Sequence, residues 1–205
     1  MALSFPLTPP TSRGPRRVTI EALSVVGQSV SPFTFEQQTY IHQGERWGLQ
    51  FELGSMNRAD GEEWAAFITA LNGCEGTFLM GDLLGTSPRG TWAGAPKVLG
   101  AHAARVKTIA MDGFSAAATV KAGDWFQIGS GANTHLHKVV QDATADGGGL
   151  LTLEIWPRTR AALADNDTFV TSSAKGLWRL AENSRRWTLE DVRVSAIGVS
   201  AIEAL

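Results

Sequence analysis

Apolar and polar positions alternate through much of the chain, and the alternation carries the first predictions. Residues 18–26 read as a strand, with Val18, Ile20 and Ala22 offset from Thr19, Glu21 and Leu23. Pro32 breaks it, and a second strand is expected over 33–41. His42-Gln43-Gly44-Glu45 has the look of a turn. Beyond it, Trp47, Leu49, Phe51 and Leu53 fall on one face of a strand over 46–53, and Arg46, Gln50 and Glu52 on the other. A β-hairpin with one apolar side is the expected product.

The period then changes from two to 3.6. Trp64, Phe67, Ile68 and Leu71 stand at i, i+3, i+4 and i+7 and make one apolar stripe, so a helix is expected with its stripe laid on the hairpin's apolar face. Asp60 with Glu63 three residues on suggests a capping box, and Asn57 is the rival cap one turn earlier. Asn72-Gly73 ends the helix, because glycine accepts the left-handed conformation. A short strand at 76–80 follows, and then a loop over 83–96 carrying Gly85, Pro88, Gly90, Gly94 and Pro96.

After the loop the texture is short strands between glycine turns. Strands are expected at 108–111, 118–120, 125–128, 135–140, 150–155 and 168–170, which is the pattern of a small β-barrel. Longer strands return at 177–182, 187–196 and 199–205. The predicted fold is therefore mainly β: a β-sandwich with one flanking helix, hosting an inserted small barrel of OB-like type. Its divisions are an extended, proline-interrupted arm at 1–16, a discontinuous sandwich domain at 17–95 plus 176–205, and the inserted barrel at 96–175. The arm is expected either to hang loose or to pack on a neighbouring subunit.

Composition narrows the function. The 205 residues carry a formal net charge of −2, so no basic excess exists to neutralise a run of phosphates. Charged residues are 19% of the chain, sparse enough to fit a surface covered by partners. One cysteine, Cys74, excludes an intrachain disulfide and any multi-cysteine metal site; beside Glu75 it is read as a small turn or buried residue rather than a nucleophile. No secretory signal and no membrane-length apolar run is read.

Several constellations could carry chemistry. His135 and His137 on one strand could share a face, but no third ligand stands at a telling spacing. Asp60, Glu62 and Glu63 fit a helix start, where carboxylates complement the dipole. Asp165-Asn166-Asp167 lacks the glycine and distal glutamate of a calcium loop. The glycine-rich stretches 81–85 and 129–131 lack the lysine and helix start of a phosphate loop. Arg158, Arg160, Arg179, Arg185 and Arg186 could form basic patches near Trp178 and Trp187, suited to protein contact or to a ligand of the barrel. No nucleophile stands beside a base, and the chain is read as a non-enzyme without cofactor or metal.

The order of motifs supplies a resemblance. Ser31-Pro32-Phe33-Thr34-Phe35, Gln37-Gln38, Gly44-Glu45-Arg46-Trp47, Met56-x-Arg58-Ala59 with Trp64 and Phe67, Gly76-Thr77-Phe78-Leu79-Met80-Gly81-Asp82 and Pro88-Arg89-Gly90 resemble the distal tail and minor tail proteins of siphophages, most densely over 17–90. Gly123-Asp124-Trp125-Phe126, Pro157 and Ala164-Asp165-Asn166 resemble barrel modules inserted in phage tail proteins. The resemblance implies a structural virion protein: a ring, expected to be six-fold, at the distal end of the tail, joining tube to tail-tip hub. It implies a location in the virion after assembly in the bacterial cytoplasm. It also implies partners: further copies of the chain, the tail tube protein, the tape-measure protein and the hub or baseplate proteins, with DNA only passing through the lumen and no membrane. Arg16, Arg17, Arg46 and Trp47 are the interface candidates. The alternative is a carbohydrate or host-surface binding module in which the barrel offers Trp125, Trp156 and Trp178.

Overall fold

The computed structural model describes residues 3–83, 86–190, 193–195 and 197–205. Two sheets carry the fold. Strand β1 (Arg17–Val30) and strand β2 (Gln37–Glu52) form a long antiparallel hairpin. Helix α1 (Arg58–Ala70) and strand β3 (Thr77–Gly81) follow. The barrel strands come next: β4 (Gly94–Val98), β5 (Thr108–Phe114), β6 (Thr119–Val120), β7 (Trp125–Ile128), β8 (His135–Val139), β9 (Ala143–Thr144), β10 (Leu151–Trp156) and β11 (Phe169–Val170). Strand β12 (Lys175–Leu180) returns to the first sheet, β13 (Thr188–Glu190) and β14 (Arg193–Ser195) make a small hairpin, and β15 (Gly198–Glu203) closes the chain's order.

The first sheet runs β1-β2-β15-β12-β3, so the last strands of the sequence sit at its centre. Its inner face is Phe51, Trp178, Phe78, Val199 and Ala201, all buried, covered by the α1 stripe of Trp64, Phe67, Ile68 and Leu71. Four rings interlock there: Phe51 lies 5.8 Å from Trp64, Trp64 5.6 Å from Phe67, and Phe67 5.8 Å from Phe78, with centroids at offset or edge-on angles. Such pairs add about 0.5–1.5 kcal/mol each beyond their area. The predicted stripe and its partner are therefore both found.

Two local expectations change. The helix is capped by Asn57, whose Oδ1 accepts the Asp60 N–H at 2.8 Å, and Asp60 sits at the third helical position with its carboxylate on Asn57 Nδ2. The cap is the rival Asn57, one turn before Asp60, and the second bond joins the two side chains rather than closing a capping box on the Asn57 backbone. The expected turn at 42–45 is instead a bulge inside β2: Ser24 pairs with Glu45 and Val26 with Ile41, leaving His42, Gln43 and Gly44 opposite Val25. A Cβ on Gly44 would stand 2.8 Å from Val25 Cγ2, which explains the glycine. The true turn lies at 31–36, where Ser31 N donates to Glu36 O and Ser31 Oγ accepts from the Phe33 and Thr34 N–H groups.

The second sheet runs β11-β7-β8-β10-β5-β4 and is nearly closed into a barrel, since Val98 N donates to Asp167 O and Lys97 bridges to Thr168. Ile109, Met111, Val120, Phe126, Leu153 and Ile155 fill it. Six of the strands expected after residue 98 appear at their expected places. Buried Asp124 organises one end. Its Oδ2 accepts from Gly90 N, Lys121 N and Trp92 Nε1, and its Oδ1 from Arg89 N. The strand expected over 187–196 is resolved as the β13–β14 hairpin, with residues 191, 192 and 196 outside the described set, as are 84 and 85 of the expected loop.

The described part of the arm, residues 3–16, is tied to its own chain. Leu7 bridges in parallel to Phe78 on the β3 edge, Phe5 and Leu7 pack on the core, and Arg13 O accepts from Trp64 Nε1 at 3.0 Å.

Candidate functional site: an internal seam and a projecting arm

The seam between sheet and barrel is built from both halves of the sequence. Trp47 of β2 lies edge-on to Trp156 at 4.2 Å and tilted against Trp125 at 4.9 Å, while its Nε1 donates to Leu136 O at 2.9 Å. Trp125 Nε1 donates to Asp82 Oδ2, and Lys138 Nζ lies 4.4 Å over the Trp125 ring. Beside the aromatics runs a charged layer. Arg160 binds Glu203 through Nε and Nη2 and gives Nη1 to Glu45 O at 2.7 Å. Glu45 Oε2 accepts from Arg158 N, and its Oε1 has Lys107 Nζ and Arg158 Nε each at 3.4 Å.

This placement corrects four candidates. Trp47 is 5% exposed and is spent on the internal seam, not on a subunit surface. Trp178 belongs to β12 of the first sheet, is 1% exposed, and donates to Met80 O; it is not a barrel residue. Trp125 is 8% exposed and Trp156 half-buried, both turned onto Trp47. None of the three offers the open aromatic face that sugar stacking needs, because closing the seam takes the same apolar area out of water. Arg16, Arg17 and Arg46 are exposed, as an interface role requires.

A cleft of about 830 Å³ opens along the seam, lined among others by Arg105, His135, Arg158, Arg160 and Arg179. Its two deepest cations are already paired with Glu45 and Glu203. Of the other arginines that could form basic patches, Arg185 gives Nη1 to Thr69 O. The two histidines do not act as a pair. His137 is fully buried, stacked on Phe126 at 5.5 Å, with Nδ1 on Pro157 O at 2.9 Å. Burial first, then Arg160 and His135, push its pKa down to about 3 against the opposing Pro157 bond. Burial followed by the Arg160 charge also lowers His135. Among the described residues no group of three or more His, Cys, Asp or Glu could hold a metal ion.

The opposite situation holds at the hairpin's far end. Beyond the bulge, β1 and β2 leave the core, and their apolar side chains lie in water: Val25, Val26, Val30, Phe33, Phe35, Tyr40 and Ile41 are all exposed, Phe33 to 93%. Over residues 24–43 the one charged side chain is Glu36. Sequence reasoning placed strands here but did not single out this segment; the signal was a run of Val, Phe, Tyr and Ile with a single charge, Glu36. The sheet's outer face is equally open but polar, carrying Arg17, Glu21, Arg46, Gln50, Glu52, Ser200 and Arg179.

No protein-family model matches the chain, and no curated protein matches it significantly.

Proposed function

We propose that this chain is a non-catalytic assembly protein that closes into a ring, expected to be six-fold, at the distal end of a siphophage tail, between the tube protein and the tail-tip hub. The observation that carries the reading is the hairpin arm: a two-stranded extension of the main sheet whose apolar side chains have no cover among the described residues. The exposed side chains lie on both faces of the ribbon, Val26, Val30 and Ile41 on one and Val25 and Tyr40 on the other, with Phe33 and Phe35 at the tip; clustered apolar side chains left in water mark a contact site. The polar outer face of the same sheet suits a water-filled lumen, and β1 is a sheet edge without a partner strand among the described residues, so edge-to-edge joining of copies would remove an aggregation hazard. The tube, tape-measure and hub partners rest on the motif resemblance. Negative-stain images of the purified chain, alone and with its tail tube protein, test the proposal. Rings of uniform diameter, or caps on tube ends, are the expected result. Dispersed single particles under both conditions would overturn it.

A further inference from the structure

The arm and a groove elsewhere on the same chain are complementary. Below β1, on the core side of the sheet, a groove of about 440 Å³ is lined by Pro15, Val18, Ile20, Leu83 and Trp125 together with Arg16, Lys138 and Asp82, whose carboxylate accepts from Trp125 Nε1. Val18 and Ile20 are only partly buried there, so the apolar face of β1 is left half-covered. The hairpin tip presents Phe33 and Phe35, 93% and 77% exposed, followed at once by Glu36. Two rings and a carboxylate thus face outward at one place, and a largely apolar slot whose charged residues are two cations and one carboxylate, Asp82, lies open at another.

The tip cannot reach its own groove. From Ile20 to Val30, β1 is one strand paired with β2 on both sides of the bulge, a span of about 33 Å at the rise of a strand. We propose that Phe33 and Phe35 of one copy seat in the Val18–Ile20–Trp125 groove of the next, with Glu36 against Arg16 and Lys138. Different patches meet in this contact, so it is head-to-tail, and it propagates into a closed ring or an open filament according to the rotation it imposes. Lys138 already lies over Trp125, so an incoming carboxylate meets a cation held in place by the ring beneath it. The inference rests on the ring reading for the meaning of the assembly, but the contact itself is tested separately.

Two samples on a Cys74→Ser background, one carrying Phe35→Cys and the other Ile20→Cys, are mixed, oxidised and run without reductant, with light scattering and images taken on the same material. The expected result is a cross-linked pair containing one chain of each kind, formed only in the mixture. A bond formed by Phe35→Cys alone shows tip-to-tip pairing and overturns the proposal, as does the absence of any bond in a sample that images show assembled; the ring reading survives both. Cross-linked filaments without rings sustain the contact and sink the ring. Chains that remain monomeric overturn both. A charge exchange gives the second readout. Glu36→Arg and Arg16→Glu each weaken self-association by about ten-fold, and the two together restore most of it. If the double variant is as weak as the product of the two singles, the charge pairing is wrong.

Discussion

Arg160 of the barrel holds Glu203 of the last strand by two nitrogens on its two carboxylate oxygens, and Glu203 Oε2 also accepts the backbone N–H of Trp47 at 3.0 Å. Three segments distant in sequence are thereby locked at one point, with Glu203 3% exposed. Removing the cation strands a buried carboxylate. Arg160→Met is expected to lower unfolding free energy by about 3–5 kcal/mol in urea titrations, whereas Arg160→Met with Glu203→Gln recovers a large part of it. Equal losses in the single and double variants would show that the pair is not what holds the seam.

His137 sets an acid limb of stability. The folded state keeps the ring neutral down to about pH 3, while the unfolded chain takes up a proton near 6.5. Its folded pKa is depressed, so above about 6.5 it costs nothing. As pH falls from there towards 3, the unfolded state binds the extra proton and stability is lost, by on the order of 1 kcal/mol per pH unit. His137→Phe, which keeps a ring against Phe126, is expected to flatten the urea midpoint between pH 6.5 and 4.5. An unchanged slope would assign the acid sensitivity to other groups.

Asp124 gathers the start of the barrel. Asp124→Asn puts an amide N–H₂ against one or more of the N–H donors of Arg89, Gly90, Lys121 and Trp92. A loss of about 1–3 kcal/mol is expected. Near-UV circular dichroism together with thermal melts reads it, and an unshifted melting temperature would contradict the role.

The arm predicts a separation of stability from assembly. Phe33→Ser with Phe35→Ser changes two side chains in water, so the monomer's melting temperature is expected to move little, within about 0.5 kcal/mol of stability. Self-association, followed by sedimentation, is expected to fall steeply. A variant that assembles like the parent would remove the tip from the interface.

The fold was legible where the pattern is local. The 3.6-residue spacing of Trp64, Phe67, Ile68 and Leu71 and the glycine turns around Trp125–Ile128 report elements that short-range geometry decides. It was illegible where a distant segment decides. His42-Gln43-Gly44-Glu45 reads as a turn because it is polar and carries glycine, yet Glu45 is buried and paired with Arg158 and Lys107 across the seam, and the strand runs on through a bulge. Which tryptophans face water was equally hidden. Trp47, Trp125 and Trp156 converge from β2, β7 and β10, and no spacing in the sequence places them together. Asn57 beat Asp60 as the helix cap by one turn, a distinction set by the extended backbone at Asn57.

The central claim is that the chain acts by assembling into a closed ring, and its mass in solution tests this most directly. Light scattering on a size-exclusion peak is expected to give six times the 21.9 kDa chain mass for the chain alone, at a value independent of loading concentration, or that mass plus the bound tail tube protein once the partner is added. A mass of one chain at every concentration, with and without that partner, would contradict the account.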